Sequence, residues 1–260
     1  MNSIEVHNLT VAYNQLPVLW DVDFELPKGQ IIGIVGPNGS GKSTLLKAIM
    51  GLLPLSSGYV KVLDSSLEQM RSSIAYVPQR ETVDWNFPAS VKDVVEMGRY
   101  QPGKLFRKLS KLDKQLATEA IEKVKLTPFI NRQIGQLSGG QQQRVFIARA
   151  LAQGAEVYLM DEPFIGVDVA TEKAIMDLLQ AMRDEGKTII VVHHDLQSVT
   201  ANFDYLVMLN TRLVHGPIQD VLTAENLQST YGGQLNLFSQ LQQLIQQKDF
   251  PIREKGFEDK

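Results

Sequence analysis

The spacing of apolar and polar residues changes along this chain, and the changes mark out its elements. Residues 4–9 and 22–26 alternate between the two kinds, which predicts two half-buried strands and an antiparallel β-region near the N-terminus. Residues 31–35 (Ile-Ile-Gly-Ile-Val) are a continuous apolar run and predict a buried strand. A glycine-rich turn follows, and residues 44–50 have helical character. Further strands are predicted at 59–63 and 74–77. From about 90 to 152 the chain reads mainly as helices, with a polar, basic break at 101–114. Strands return at 157–160, 188–192 and 205–209, with a helix at 171–185 between the first two. Strands alternating with helices imply a mostly parallel sheet. After Gly233 the composition turns Gln-rich. Leu237, Leu241, Leu244 and Ile245 fall at helical spacing there, and a charged tail, 252–260, follows.

Chemistry concentrates where strands end. Gly36-Pro37-Asn38-Gly39-Ser40-Gly41-Lys42-Ser43 fits the G-x-x-x-x-G-K-[ST] phosphate loop, with a predicted strand before it and a helix, from Thr44, after it. Glycines let backbone N–H groups turn inward around an anion, and the helix N-terminus adds partial positive charge. Lys42 has the reach to meet β- and γ-phosphates, and the Ser43 hydroxyl suits Mg²⁺. About a hundred residues on, Leu137-Ser138-Gly139-Gly140-Gln141 precedes a helical stretch, 142–152. Ser138 suits an N-cap, and the glycines expose N–H groups. The strand at 157–160 ends in Asp161-Glu162-Pro163, carboxylates at the position where open α/β sheets bind ligands. Asp161 suits Mg²⁺, and Glu162 suits the orientation or deprotonation of a water.

Composition narrows the class. The 260 residues suffice for one large α/β domain, 43% hydrophobic and 21% charged. A formal net charge of −3 gives no basic footprint for nucleic acid. There is no cysteine, so no disulfide framework and no thiolate metal site. His7, His193, His194 and His215 form no metal-ligand cluster in sequence. No stretch approaches the apolar length of a membrane span, and residues 1–5 show no secretory pattern. The basic run Arg99, Lys104, Arg107, Lys108, Lys111 and Lys114 reads as a solvated loop rather than a lipid-facing patch.

With these motifs the chain resembles the nucleotide-binding subunit of an ATP-binding-cassette (ABC) transporter over roughly residues 3–235. Singly, each remaining residue has an ordinary structural reading, but their order and spacing match the family. The resemblance implies that Tyr13 stacks on adenine and that Gln79, in Tyr76-Val77-Pro78-Gln79, senses Mg²⁺ and the attacking water. It implies that Ser138, Gly139, Gly140 and Gln141 form the signature, and that Asp161 and Glu162 are the metal-holding and catalytic carboxylates. Asp168 corresponds to the D-loop, and His194 to the switch histidine at the γ-phosphate. The implied fold is an α/β P-loop NTPase core of mostly parallel sheet, with an antiparallel β-subdomain and a helical subdomain inserted at about 88–155. The cassette spans 1–235, and 236–260 form a C-terminal segment. The implied cofactors are ATP and Mg²⁺.

The segments Asp84-Trp85-Asn86-Phe87-Pro88, Val94 to Tyr100 and Tyr231-Gly232-Gly233 are similar to the manganese/zinc/iron class of ABC importers. This implies a homodimer at the cytoplasmic face of the membrane, membrane permease subunits, an extracytoplasmic substrate-binding protein, and a divalent transition metal as cargo. Trp85, Phe87 and Pro88 are expected to form part of a groove for a permease helix. Siderophore, haem or cobalamin cargo stays open. A chromosome-maintenance or DNA-repair ATPase is disfavoured, because no long coiled coil separates phosphate loop and signature. A ribosome-associated factor is disfavoured by the single cassette.

Overall fold

The computed structural model describes residues 1–14, 16–100, 108–210 and 212–232. The chain opens with β1 (Asn2–Tyr13), β2 (Leu16–Pro27), β3 (Ile31–Val35) and α1 (Lys42–Ile49). Then come β4 (Ser57–Val62), β5 (Ser65–Ser66), α2 (Leu67–Met70) and β6 (Ile74–Val77). Three helices follow, α3 (Val91–Met97), α4 (Lys111–Lys123) and α5 (Gly139–Gln153). The remainder is β7 (Val157–Asp161), α6 (Val169–Asp184), β8 (Thr188–Val192), α7 (Leu196–Asn202), β9 (Tyr205–Leu209), β10 (Leu213–Pro217), α8 (Ile218–Val221) and α9 (Ala224–Tyr231).

The larger sheet has the order β10-β9-β3-β8-β7-β6, parallel except for β10. β3, β7 and β8 are buried at every position, as central parallel strands covered on both faces must be, which accounts for their mostly apolar sequences, Thr188 and Asp161 being the buried polar residues at strand ends. The smaller sheet, β2-β1-β4-β5, is antiparallel. One apolar core lies between the two sheets around Leu45, Leu46 and Ile49 of α1. The other joins the far face of the large sheet to α3, α5 and α6, through Val95, Val145, Ile147, Ile175 and Leu179. Burial of each such aliphatic side chain is worth about 1.5–3 kcal/mol. Because the strands run parallel, the C-terminal ends of β3, β6, β7 and β8 share one edge, and the candidate residues follow those ends.

The structure departs from the sequence expectation in places. β1 and β2 run well beyond 4–9 and 22–26, because register shifts between Val6 and Ala12 break the simple alternation while preserving the pairing. β10 went unrecognised: it is an edge strand whose His215 and Gly216 interrupt the apolar run. The basic break does not extend to Lys114. α4 starts at Lys111, set by a capping box in which Ser110 and Asp113 satisfy each other's backbone N–H groups. Lys111 and Lys114 are therefore helical, and Arg99 is no loop cation. Its guanidinium pairs with Asp113 at 3.0 Å and donates to the Ala152 carbonyl at 2.7 Å, capping the end of α5. Lys104, Arg107 and the expected helix after Gly233 lie outside the described residues.

Candidate functional site

The turn after β3 is built by glycine. A Cβ on Gly36 would sit 2.0 Å from the Leu209 carbonyl oxygen, and one on Gly41 would sit 2.9 Å from Leu19 Cδ2. Gly39 and Gly41 have φ of 82° and 98°, the left-handed region that glycine occupies without strain. The loop closes on Lys42, whose Nζ donates to the Gly36 and Pro37 carbonyls at 2.8 and 2.9 Å. Burial pulls the Lys42 ammonium down, while Glu162 and Asp161 pull it back up. The Ser40 hydroxyl is buried with no partner among the described residues, a polar atom awaiting an acceptor or donor.

Opposite stands the end of β7. Asp161 is 2% exposed and accepts from the Ser43 hydroxyl at 3.0 Å. Burial pushes its carboxyl up, against the opposing pull of Ser43, Lys47 and Lys42. Glu162 is half-buried, with a left-handed φ of 52°, and accepts from the Gln79 amide at 2.9 Å. Burial also raises its carboxyl, and the Asp161 charge raises it further. Tyr76, behind Asp161, is pushed up to about 12 by burial and by that carboxylate.

Lys42, Ser43, Gln79 and Glu162 line a cleft of about 730 Å³, together with Tyr13, Val18, Asn38, Gly39, Gly41, Thr44, Ile165 and His194. Tyr13 is 45% exposed, an open aromatic face at the mouth. The volume suits a nucleotide-sized ligand. Ser43 and Asp161, with Gln79 near, present oxygen donors only, the set that Mg²⁺ takes. Among the described residues no cluster of three or more His, Cys, Asp or Glu forms a separate metal centre.

Two expected elements are elsewhere. Ser138 caps α5 in a full capping box, its Oγ accepting from Gln141 N while Gln141 Oε1 accepts from Ser138 N at 2.9 Å. Asp168 caps α6, accepting from Thr171 N at 2.9 Å and from its hydroxyl at 2.8 Å, which holds the carboxyl below the usual range. Neither lines the cleft, and they pack toward each other: a Cβ on Gly140 would sit 3.2 Å from Thr171 Cγ2.

The surface beside Gln79 separates the three residues expected to form part of a groove. Trp85 is half-buried, edge-on to Phe146 at 5.5 Å, and donates to the Arg80 carbonyl at 2.9 Å. It is a floor residue and does not project. Phe87, 54% exposed, and Pro88 do project. Sequence reading also missed Val18, which joins the cleft only through the β1–β2 register, and Arg80, whose Nε donates to Gln142 of α5 at 3.0 Å.

A protein-family model described as ABC transporter matches residues 19–165, more than half of the chain. The chain belongs to the ABC transporter family, as its ATP-binding, ATP-hydrolysing component. It is 52% identical over 236 residues to the manganese transport system ATP-binding protein MntB of Bacillus subtilis (strain 168), covering 90% of this chain and 94% of that one. It is 54% identical over 235 residues to the zinc transport system ATP-binding protein TroB of Treponema pallidum (strain Nichols), covering 90% and 88%. Among solved structures, the dimeric structure of MJ0796, a bacterial ABC transporter cassette, is 31% identical with a TM-score of 0.70, over 81% of this chain and 97% of that one.

Proposed function

We propose that this chain powers the import of a divalent transition metal, manganese, zinc or iron, by hydrolysing ATP against partner permease subunits. One observation carries the hydrolytic part: Glu162, held by Gln79, faces the same cleft as Lys42 and the Ser43–Asp161 pair. The cargo class rests on the named manganese and zinc relatives.

In this reading Tyr13 stacks on adenine. Gly36, Pro37, Asn38, Gly39, Ser40, Gly41 and Thr44 cradle the phosphates, and Lys42 exchanges its two carbonyl partners for phosphate oxygens. Ser43, Asp161 and Gln79 hold Mg²⁺, which, when bound, offsets phosphate charge. Glu162 orients and deprotonates the attacking water, and His194 meets the γ-phosphate. Ser138, Gly139, Gly140 and Gln141 lie off the cleft of their own chain, so they serve a second copy, with Asp168 at the seam. Two copies pair head to tail around ATP, and hydrolysis releases them, a two-state element governed by the γ-phosphate. The cassette spans 1–235, with a helical subdomain at 88–155 and a C-terminal segment at 236–260. No helix among the described residues is long and apolar enough to cross a membrane. The membrane path therefore belongs to the permease chains, the cassette docks at the cytoplasmic face, and an extracytoplasmic binding protein delivers the metal.

The test is total cellular manganese, zinc and iron in metal-limited cells carrying Lys42→Ala in place of this chain. Loss of one metal, restored by the unmodified chain, is the expected result and names the cargo. Unchanged levels of all three would remove the free-metal reading and redirect the cargo to chelates.

A further inference from the structure

His193 is 2% exposed and has no part in the cleft described above. Its ring stands edge-on to Phe164 at 5.3 Å, stacks on Phe203 at 5.7 Å, and lies 5.5 Å from the ring of His194. Gly33 makes room for this cage, since a Cβ there would lie 3.1 Å from Phe203 Cδ1. Burial pushes the imidazole down to about 4, so the ring is neutral at physiological pH.

A neutral imidazole has one N–H, and its surroundings decide where that proton sits. Nε2 is in hydrogen-bond contact with the Ser198 hydroxyl. Ser198 Oγ donates its single proton to the Asp195 carbonyl at 3.1 Å. Both contacts are satisfied together only when the hydroxyl donates to the Asp195 carbonyl and accepts from His193, which puts the ring proton on Nε2. Nδ1 is left with a bare lone pair, and it is buried without a partner among the described residues. Leaving a buried acceptor unpaired costs stability. Leucine or phenylalanine would fill the cage without that cost, so packing alone does not explain histidine here.

The donor closes a ring. His193 Nε2–H, Ser198 O–H and the Asp195 carbonyl tie residue 193 to the first turn of α7, with His194 inside the loop. At the other end, the His193 amide donates to the Ile34 carbonyl at 2.9 Å, two residues before the phosphate loop. We propose that His193 is a positioning residue for hydrolysis: through Ser198 it fixes the turn that presents His194 to the γ-phosphate. This rests on the role given to His194 above.

The test uses the full chain, comparing ATP hydrolysis and ADP binding in His193→Leu, His193→Gln, Ser198→Ala and His194→Ala. Loss of the donor in His193→Leu, or of the relay in Ser198→Ala, is expected to lower kcat about tenfold and to leave the KM for ATP within about twofold. ADP lacks the γ-phosphate, so its affinity is expected to hold. His193→Gln restores an N–H donor and is expected to recover most of the rate. Nitrogen-15 spectra of the unmodified chain are expected to show His193 as the neutral Nε2–H tautomer. An Nδ1–H tautomer overturns the proposal, as does an unmodified rate in His193→Leu while His194→Ala is inactive. Should His193→Leu lose ADP binding through misfolding, Ser198→Ala decides in its place. A fully active His194→Ala would instead remove the role of His194 itself, and this inference with it.

Discussion

Glu162 is under two opposed demands. Its proposed catalytic role needs an ionised carboxylate in the cleft, while burial and the neighbouring Asp161 charge favour the neutral form. Its backbone sits at a φ of 52°, an unfavourable region for a side-chain-bearing residue, as functional turns often require. An acid whose folded-state pKa is raised adds stability below its ordinary range and loses that contribution as pH rises through the raised value. Above that point the ionised Asp161–Glu162 pair is a cost. Glu162→Gln removes one of the two charges and keeps an oxygen to accept from Gln79. The nucleotide-free variant is therefore expected to melt above the unmodified chain at about pH 8, with the gap closing as pH falls into the carboxylate range. Its hydrolysis is expected to fall about 100-fold or more with ATP binding intact. Thermal melts across pH, alongside a phosphate-release assay, check both. A variant that melts lower throughout would show that Glu162 stabilises the resting fold.

Ser138 shows how one element serves two ends. Its capping box stabilises the start of α5, and in the proposed pairing its hydroxyl would also face the γ-phosphate held by the second copy. The two roles separate under substitution. Aspartate caps a helix about as well as serine, so Ser138→Asp is expected to hold stability within about 0.5 kcal/mol. The same carboxylate would repel a phosphate, so ATP-driven pairing of copies in the Glu162→Gln background is expected to disappear. Chemical denaturation and sedimentation measure the two effects, and intact pairing would take the signature out of the nucleotide site. The cap and the phosphate loop were legible in sequence because their chemistry is local: glycines, a lysine and a serine act within one turn. β3, β7 and β8 were legible because their burial is complete. What was not legible depends on distant partners. The true lengths of β1 and β2 rest on irregular register, and β10 on an edge position that tolerates His215. Only the start of α4, residues 111–114, was hidden by its basic residues, because a Ser-x-x-Asp box outweighs a charge run that sequence alone reads as loop. The donor role of His193 needs Ser198 in space as well as in sequence.

For the whole molecule the question is how the cleft is connected to a permease. The physical link runs from Gln79 into the segment holding Arg80, Trp85 and Phe87, and from there to α5, because Arg80 bonds Gln142 and Trp85 packs on Phe146. A displacement of this segment would bear on Glu162, through the Gln79 amide, and on α5, through Gln142 and Phe146. The aromatics divide the work. Removing Trp85 takes away a packed ring and its bond to the Arg80 carbonyl, and Trp85→Ala is expected to cost about 2 kcal/mol or more of stability. Phe87 is exposed, so Phe87→Ala is expected to change stability by less than about 0.5 kcal/mol. If the exposed ring seats a permease helix, as aromatic anchors at interfaces do, its loss should weaken assembly by about 1 kcal/mol or more, roughly fivefold. Titration of purified permease with each variant, beside denaturation curves and ATP binding for the isolated chain, separates the two effects. Unchanged permease affinity in Phe87→Ala would move the docking surface away from this segment. Weakened affinity with nucleotide binding intact would place the transmission path on the segment that begins at Gln79.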